Sequence, residues 1–152
     1  MSGDLEGAYE EGMTSIDTDP GGPNSALAVW CAGRAALWIG DPGRARVALE
    51  RMPAYEGTWH AAIRRALEAG IAALEGQLRE AATEYDSLLA GRLAIGDRFT
   101  HALVTLDAVA VLPPELVPEG SVEAATEYLE GLGAEALLAR LRSVGAPVAT
   151  ER

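Results

Sequence analysis

The sequence predicts an all-α protein, an α-α superhelix of about three and a half stacked helical hairpins. Its main support is an internal repeat, in which a turn motif that begins with glycine recurs at Gly3, Gly40, Gly76 and Gly120. The first two copies lie 37 residues apart, and a spacing of this size is typical of helical hairpin arrays. The composition agrees, because 49% apolar residues with only 5% aromatic ones indicate a core of Ala, Leu and Val.

Apolar residues at helical spacing, interrupted by glycine and proline, predict eight helices in a repeat domain of residues 1–144. Asp41 and Asp97 are expected to cap the helices that follow them, and Pro113 with Pro114 should end a helix. Residues 145–152 are expected to form a flexible tail. The helices are expected near 3–16, 25–39, 42–52, 58–75, 78–95, 98–112, 121–131 and 134–143.

The first helix has no hairpin partner in this scheme, because the chain opens half-way through a repeat. Leu5, Tyr9 and Met13 would then be covered on one side only. We therefore expect self-association through this N-terminal half-hairpin, or fraying of it. The missing helix is expected to belong to sequence upstream of Met1.

Charge and composition exclude several classes of function. The net charge is −11, and a surface of this sign repels phosphate backbones and anionic lipids, so neither nucleic acid nor a membrane is an expected partner. All 12 basic residues are arginine. The absence of lysine excludes a P-loop, a Schiff-base enzyme and a pyridoxal-phosphate enzyme.

Cys31 is the only cysteine, which excludes an internal disulfide and a multi-cysteine zinc site. No apolar run is long enough to span a bilayer, and the N-terminus lacks the pattern of a signal peptide. These features predict a cytoplasmic protein with no metal and no cofactor.

Small residues recur where two helices of a hairpin would cross. Gly33 stands 12 residues before Ala45, and Gly70 stands 12 residues before Ala82. A residue without a side chain opposite a methyl group allows two helix backbones to approach closely, so these pairs are expected to face each other.

These residues resemble tetratricopeptide repeats over about residues 3–132. The shared features are the small residue at the eighth place of each repeat, the Gly-Asp turn, and an alanine at the twentieth place, found at Ala8, Ala45, Ala82 and Ala125. Residues 73–85 and 132–141 are also similar to C-terminal repeat regions of large bacterial signalling proteins. Those proteins join an ATPase module and a nucleotide cyclase or helix-turn-helix output domain to a helical array.

The resemblance implies a protein interaction or scaffold module that binds a peptide, a helix or a neighbouring domain of the same polypeptide. Trp30, Arg34 and Trp38 recur every fourth residue, so they form one stripe on the second helix. Tryptophan and arginine commonly anchor protein interfaces. In the repeat register they would line a concave groove with four residues of the later inner helices, Arg64, Ile71, His101 and Val104. The alternative is that both tryptophans belong to the core.

Two other functions stay open on the sequence. One is a ligand-sensing array whose tryptophans contact a small apolar molecule. The other is an enzyme using His60 or His101, each of which follows an acidic residue by four positions, although an ordinary ion pair on a helix face is the expected role. The GxGxxA pattern at 131–136 is interpreted as a helix stop and restart, because a helical pattern precedes it. No catalytic residue is predicted.

Overall fold

The structure is a computed structural model, and it describes residues 4–54 and 57–145. Within these residues there are eight α-helices, one short 3₁₀ helix at Pro114–Leu116 and no strand, so the prediction of an all-α protein is confirmed. The helices are α1 (Leu5–Thr18), α2 (Ser25–Ile39), α3 (Pro42–Glu50), α4 (Thr58–Leu74), α5 (Leu78–Ala94), α6 (Arg98–Val111), α7 (Ser121–Leu132) and α8 (Glu135–Gly145).

The observed bounds lie within two residues of the predicted ones, because turn chemistry sets them. The carboxylates of Asp41 and Asp97 each accept a hydrogen bond from a backbone N–H in the first turn that follows, at 3.0 and 3.1 Å. Gly40 ends α2 in the left-handed conformation, with φ of 87°, which explains why the repeat keeps glycine at this place. The tail expected at 145–152 lies outside the described residues except for Gly145, which ends α8.

Helix α6 is the centre of the fold. Residues 100–109 are all buried, and α6 contacts α2, α4, α5, α7 and α8. In an open superhelix each hairpin touches only its neighbours, so a contact between α6 and α2 is unexpected. The inner side of the array is therefore closed, with α6 packed against α2 across α4.

The two glycines of the repeat lie in close contact with leucines. A Cβ atom placed on Gly33 would lie 2.7 Å from a methyl group of Leu67, and one placed on Gly70 would clash with Leu37. Gly33 and Leu37 lie on α2, whereas Leu67 and Gly70 lie on α4. A leucine of each helix therefore packs against a glycine of the other. The predicted pairings of Gly33 with Ala45 and of Gly70 with Ala82 stay predictions, and the closest atoms at both glycines include a leucine of the neighbouring inner helix.

The first helix is covered by the helix that follows it, and Leu5, Tyr9 and Met13 are each partly buried. Helix α1 packs along α2 over the most extensive helix contact in the described part of the chain. Ile16 is buried, and Tyr9 and Met13 are partly buried against the core. A Cβ atom placed on Gly12 would lie 2.9 Å from the Cβ of Ala32 and 3.1 Å from its backbone nitrogen. Self-association through this end, or fraying of it, stays a prediction.

No helix within residues 4–54 and 57–145 is both long enough and apolar enough to span a bilayer.

The contact at Gly12 can be tested by Gly12→Ala. Alanine favours a helix over glycine, but here its methyl would press against the backbone of α2, so we expect the free energy of unfolding to fall by about 1 to 2 kcal/mol. Gly91→Ala on α5 is the matched control, because no atom lies near its added Cβ. The control should gain about 0.5 to 1 kcal/mol, measured by urea unfolding. Equal gains in both variants would contradict the close approach.

Candidate functional site

The stripe predicted on α2 forms an arginine placed between two tryptophans. The guanidinium carbon of Arg34 lies 5.4 Å from the ring centroid of Trp30 and 4.9 Å from that of Trp38. These distances fit cation–π contacts. The spacing of four residues produces this arrangement, because it sets the three side chains on one helix face.

The anionic partner of this stripe is Asp107, which the sequence analysis did not identify. The carboxylate of Asp107 lies on α6 and is fully buried. The Nε of Arg34 donates to its Oδ1 at 2.7 Å, and the indole Nε1 of Trp38 donates to the same oxygen at 3.0 Å. Trp30, Arg34, Trp38 and Asp107 are called the Arg34 cluster below. This cluster joins α2 to α6.

Two polar atoms of the Arg34 cluster have no hydrogen-bond partner among the residues that the structure describes. They are Nε1 of Trp30 and Oδ2 of Asp107, and both are buried. The Trp30 indole nevertheless lies near enough to help lower the pKa of Asp107. The carboxylate is thus surrounded by donors from α2, although only one of its oxygens is bonded.

Burial raises the pKa of Asp107 above its ordinary value, and removal from water is the largest cause. The Arg34 guanidinium opposes this rise, and the two indoles oppose it less. Burial also raises the pKa of Tyr85 well above its ordinary value, with Asp107 adding to the shift. The Tyr85 hydroxyl donates to the carbonyl oxygen of Ala66 at 3.2 Å, so it has a structural hydrogen bond.

Helix α8 reaches the same place from the C-terminal side. The guanidinium carbon of Arg140 lies 4.5 Å from the ring centroid of Trp38, so this indole has an arginine contact from α8 as well as the one from Arg34. The Nε of Arg140 is buried and has no hydrogen-bond partner within residues 4–54 and 57–145. Leu138 and Leu141 are buried in the core and hold α8 against the array.

The predicted groove residues fall into two groups. Trp30, Ile71, His101 and Val104 are buried, so the expectation that they line an open groove is wrong for this structure. The packing of α6 onto α2 covers them. Arg34 and Trp38 are partly buried within the Arg34 cluster, and only Arg64 is exposed. Partner binding by these residues stays a prediction.

The two histidines lie in different surroundings. Burial and the nearby Arg98 lower the pKa of His101, which favours its neutral form. His60 lies edge-on to Trp59, with ring centroids 5.5 Å apart. Over the described residues, no group of three or more His, Cys, Asp or Glu side chains could hold a metal ion. Burial raises the pKa of the Cys31 thiol, so this cysteine is not activated as a thiolate.

The glycine-rich pattern at 131–136 is a helix junction, as the sequence analysis interpreted it. Helix α7 ends at Leu132, Gly133 adopts the left-handed conformation with φ of 65°, and α8 begins at Glu135. Because no strand precedes it, the pattern lacks the setting of a dinucleotide site.

An open groove of about 680 Å³ lies between α1 and the start of α2. Its lining includes the carboxylates of Glu10, Glu11 and Asp19 and several hydroxyl groups. None of its described lining residues is a tryptophan, so the ligand-sensing alternative, which relies on the tryptophans, stays a prediction.

Asp107 could have been found from the repeat itself. Gly33 and Gly70 are 37 residues apart, and another 37 residues lead to position 107. A carboxylate stands there in an otherwise apolar helix, at the place where the repeat expects a small residue. A departure of this kind indicates a specific polar partner, which here is Arg34.

Comparison of the chain with protein families, with curated proteins and with solved structures gave no match.

The ion pair can be tested by Arg34→Met, which leaves the buried Asp107 without its cation. We expect the free energy of unfolding to fall by about 3 kcal/mol near pH 8, because removing one partner of a buried pair leaves an uncompensated charge. Without Arg34 the folded-state pKa of Asp107 rises further. Its protonation stabilises the fold at low pH, and this stabilisation is lost as the pH rises through the folded-state pKa. The deficit against wild type should therefore shrink between about pH 8 and about pH 5.

Arg79→Met is the control for this variant. Arg79 is exposed on α5, and its loss should change stability by less than about 0.5 kcal/mol. Adding Asp107→Asn to Arg34→Met should recover part of the loss, since the stranded charge is then absent. Equal losses for Arg34→Met and Arg79→Met at all pH values would show that the pair does not hold α2 to α6.

Proposed function

We propose that this chain is a protein interaction module of a bacterial regulatory or signalling polypeptide, and that it binds an amphipathic helix of a partner or of a neighbouring domain. The tetratricopeptide resemblance supports this proposal through its repeat and its glycine turns. The array of helical hairpins is compatible with it. The observation that carries the proposal is an apolar surface at one end of the array.

This surface, called the apolar end patch, consists of four exposed side chains. Leu93 and Ile95 stand at the end of α5, Phe99 at the start of α6 and Leu132 at the end of α7. Arg98 contacts Tyr128, with 5.4 Å between the guanidinium carbon and the ring centroid, so the end of α7 lies beside the start of α6. The exposed fractions are 46% for Leu93, 64% for Ile95, 49% for Phe99 and 56% for Leu132.

Single exposed apolar residues are normal on a protein surface, whereas a group of them at one place commonly marks an interaction site. An amphipathic helix suits the patch, because its apolar face presents side chains at intervals of three and four residues. The charges of Arg98 and Glu127, which lie 3.7 Å apart and are both exposed, can pair with polar residues at the edge of such a helix.

The test replaces Leu93, Ile95 and Phe99 together by serine and compares the variant with wild type in selection from a phage library of amphipathic helical peptides. Wild type should enrich peptides with apolar residues at helical spacing, and these should bind the variant about ten-fold or more weakly, because several apolar anchors are lost.

A matched control replaces Leu27 and Val47 by serine, since these exposed apolar residues lie on α2 and α3 outside the patch. The control should keep wild-type affinity for the selected peptides, and circular dichroism should show unchanged helix content in both variants. Peptides that bind all three proteins equally would refute the patch as the interaction site.

A further inference from the structure

Helix α8 docks on a second surface of the protein, and its docking contacts indicate what kind of ligand that surface can bind. This helix has only 11 residues, a length at which an isolated helix is marginal in water. Its helical state therefore depends on docking, through the buried side chains Leu138 and Leu141. Gly133 separates it from α7 in a conformation that glycine adopts without strain.

The contact of Arg140 with Trp38 differs from the other arginine contacts. Arg64, Arg79 and Arg140 make no ion pair among the described residues, and of these three only Arg140 is not exposed. A half-buried arginine without a carboxylate partner has its indole contact as its main interaction. Arg34 and Asp107 also contact this indole, because the Arg34 guanidinium carbon lies 4.9 Å from its centroid and its Nε1 donates to Asp107.

We propose that the surface formed by Trp38, Arg34 and α6 is a helix-binding site that α8 fills from within the same chain. The ligand that it takes from a partner is a short amphipathic helix with α8's chemistry. Such a helix carries two leucines three residues apart and an arginine beside them that stacks on Trp38. This inference rests on the proposed function, and it adds a second site, whose ligand competes with α8.

The covalent link to α7 favours α8 over a free helix at this site. A segment attached by a short linker acts at an effective concentration of about millimolar, so α8 outcompetes a free helix of equal intrinsic affinity. The site is therefore closed to weak ligands, and a partner must either bind more tightly or act when α8 is displaced. The open apolar end patch is not subject to this competition.

The experiment uses a fluorescently labelled synthetic peptide of residues 134–145 and the full chain. In the acceptor variant, Leu138→Ser and Leu141→Ser weaken the docking of its own α8. The peptide should bind this variant about ten-fold or more tightly than it binds wild type, measured by fluorescence anisotropy. Circular dichroism shows whether this first acceptor stays folded. If it unfolds, Arg140→Ala in the full chain, which keeps both leucines, serves as a milder second acceptor.

Two peptide variants test the chemistry of recognition. The Arg140→Ala peptide should bind the acceptor about five-fold more weakly, because it loses the cation–π contact. The Arg142→Ala peptide is the matched control, since Arg142 is exposed and pairs with Glu130 rather than with Trp38. It should bind within about two-fold of the parent peptide. Trp38→Phe in the acceptor should reduce the difference between the two peptide variants.

Two results would overturn the inference. One is a peptide that binds neither acceptor at millimolar concentration, which would make α8 a structural cap only. The other is an equal loss for both arginine variants, which would indicate attraction by the acidic surface. Neither result would change the binding of the selected peptides to the apolar end patch. Failure of the α8 inference is therefore distinguishable from failure of the proposed function.

Discussion

The fold depends on a buried pair of charges that joins the first inner helix to the third. Arg34 and Asp107 are separated by 73 residues, and their contact brings α6 against α2. A carboxylate cannot be buried at low cost unless donors bind it, and α2 supplies two, the Arg34 guanidinium and the Trp38 indole. Burial still raises the pKa of Asp107 despite its partner. The main effect of the Arg34–Asp107 pair is therefore to determine which helices pack together, and its contribution to net stability is smaller.

This closure changes where a partner can bind. An open array of hairpins offers its inner helices as a concave surface, but here that side is filled by α6 and partly covered by α8. Leu93, Ile95, Phe99 and Leu132 remain exposed at the ends of α5, α6 and α7. The inner side becomes a binding site only when a partner's helix with the chemistry of α8 displaces α8.

The sequence predicts well what is decided locally. Asp41, Asp97 and Gly40 set helix ends through hydrogen bonds and backbone conformation within one turn, and the predicted bounds were close for that reason. The arrangement of Trp30, Arg34 and Trp38 on one helix face also follows from spacing alone.

The rest depends on which helix faces which. Gly33 was expected to meet Ala45 in its own hairpin, whereas the closest contact comes from Leu67 of the next one. Asp107 has no sequence neighbour that predicts its pairing with Arg34, and the contact of Arg140 with Trp38 joins α8 to α2, which are far apart in the sequence. Such contacts are set by the packing of the whole chain, so periodicity in single helices does not determine them.

The indole N–H of Trp38 tests the closed arrangement most directly, because its only acceptor is the buried carboxylate on α6. We would measure its exchange with deuterium in the ¹⁵N-labelled protein, with the resonance assigned through Trp38→Phe. The account predicts that this proton exchanges as slowly as the core amides of α6. Exchange as fast as that of a solvent-exposed indole would contradict it, since α2 and α6 would then be apart.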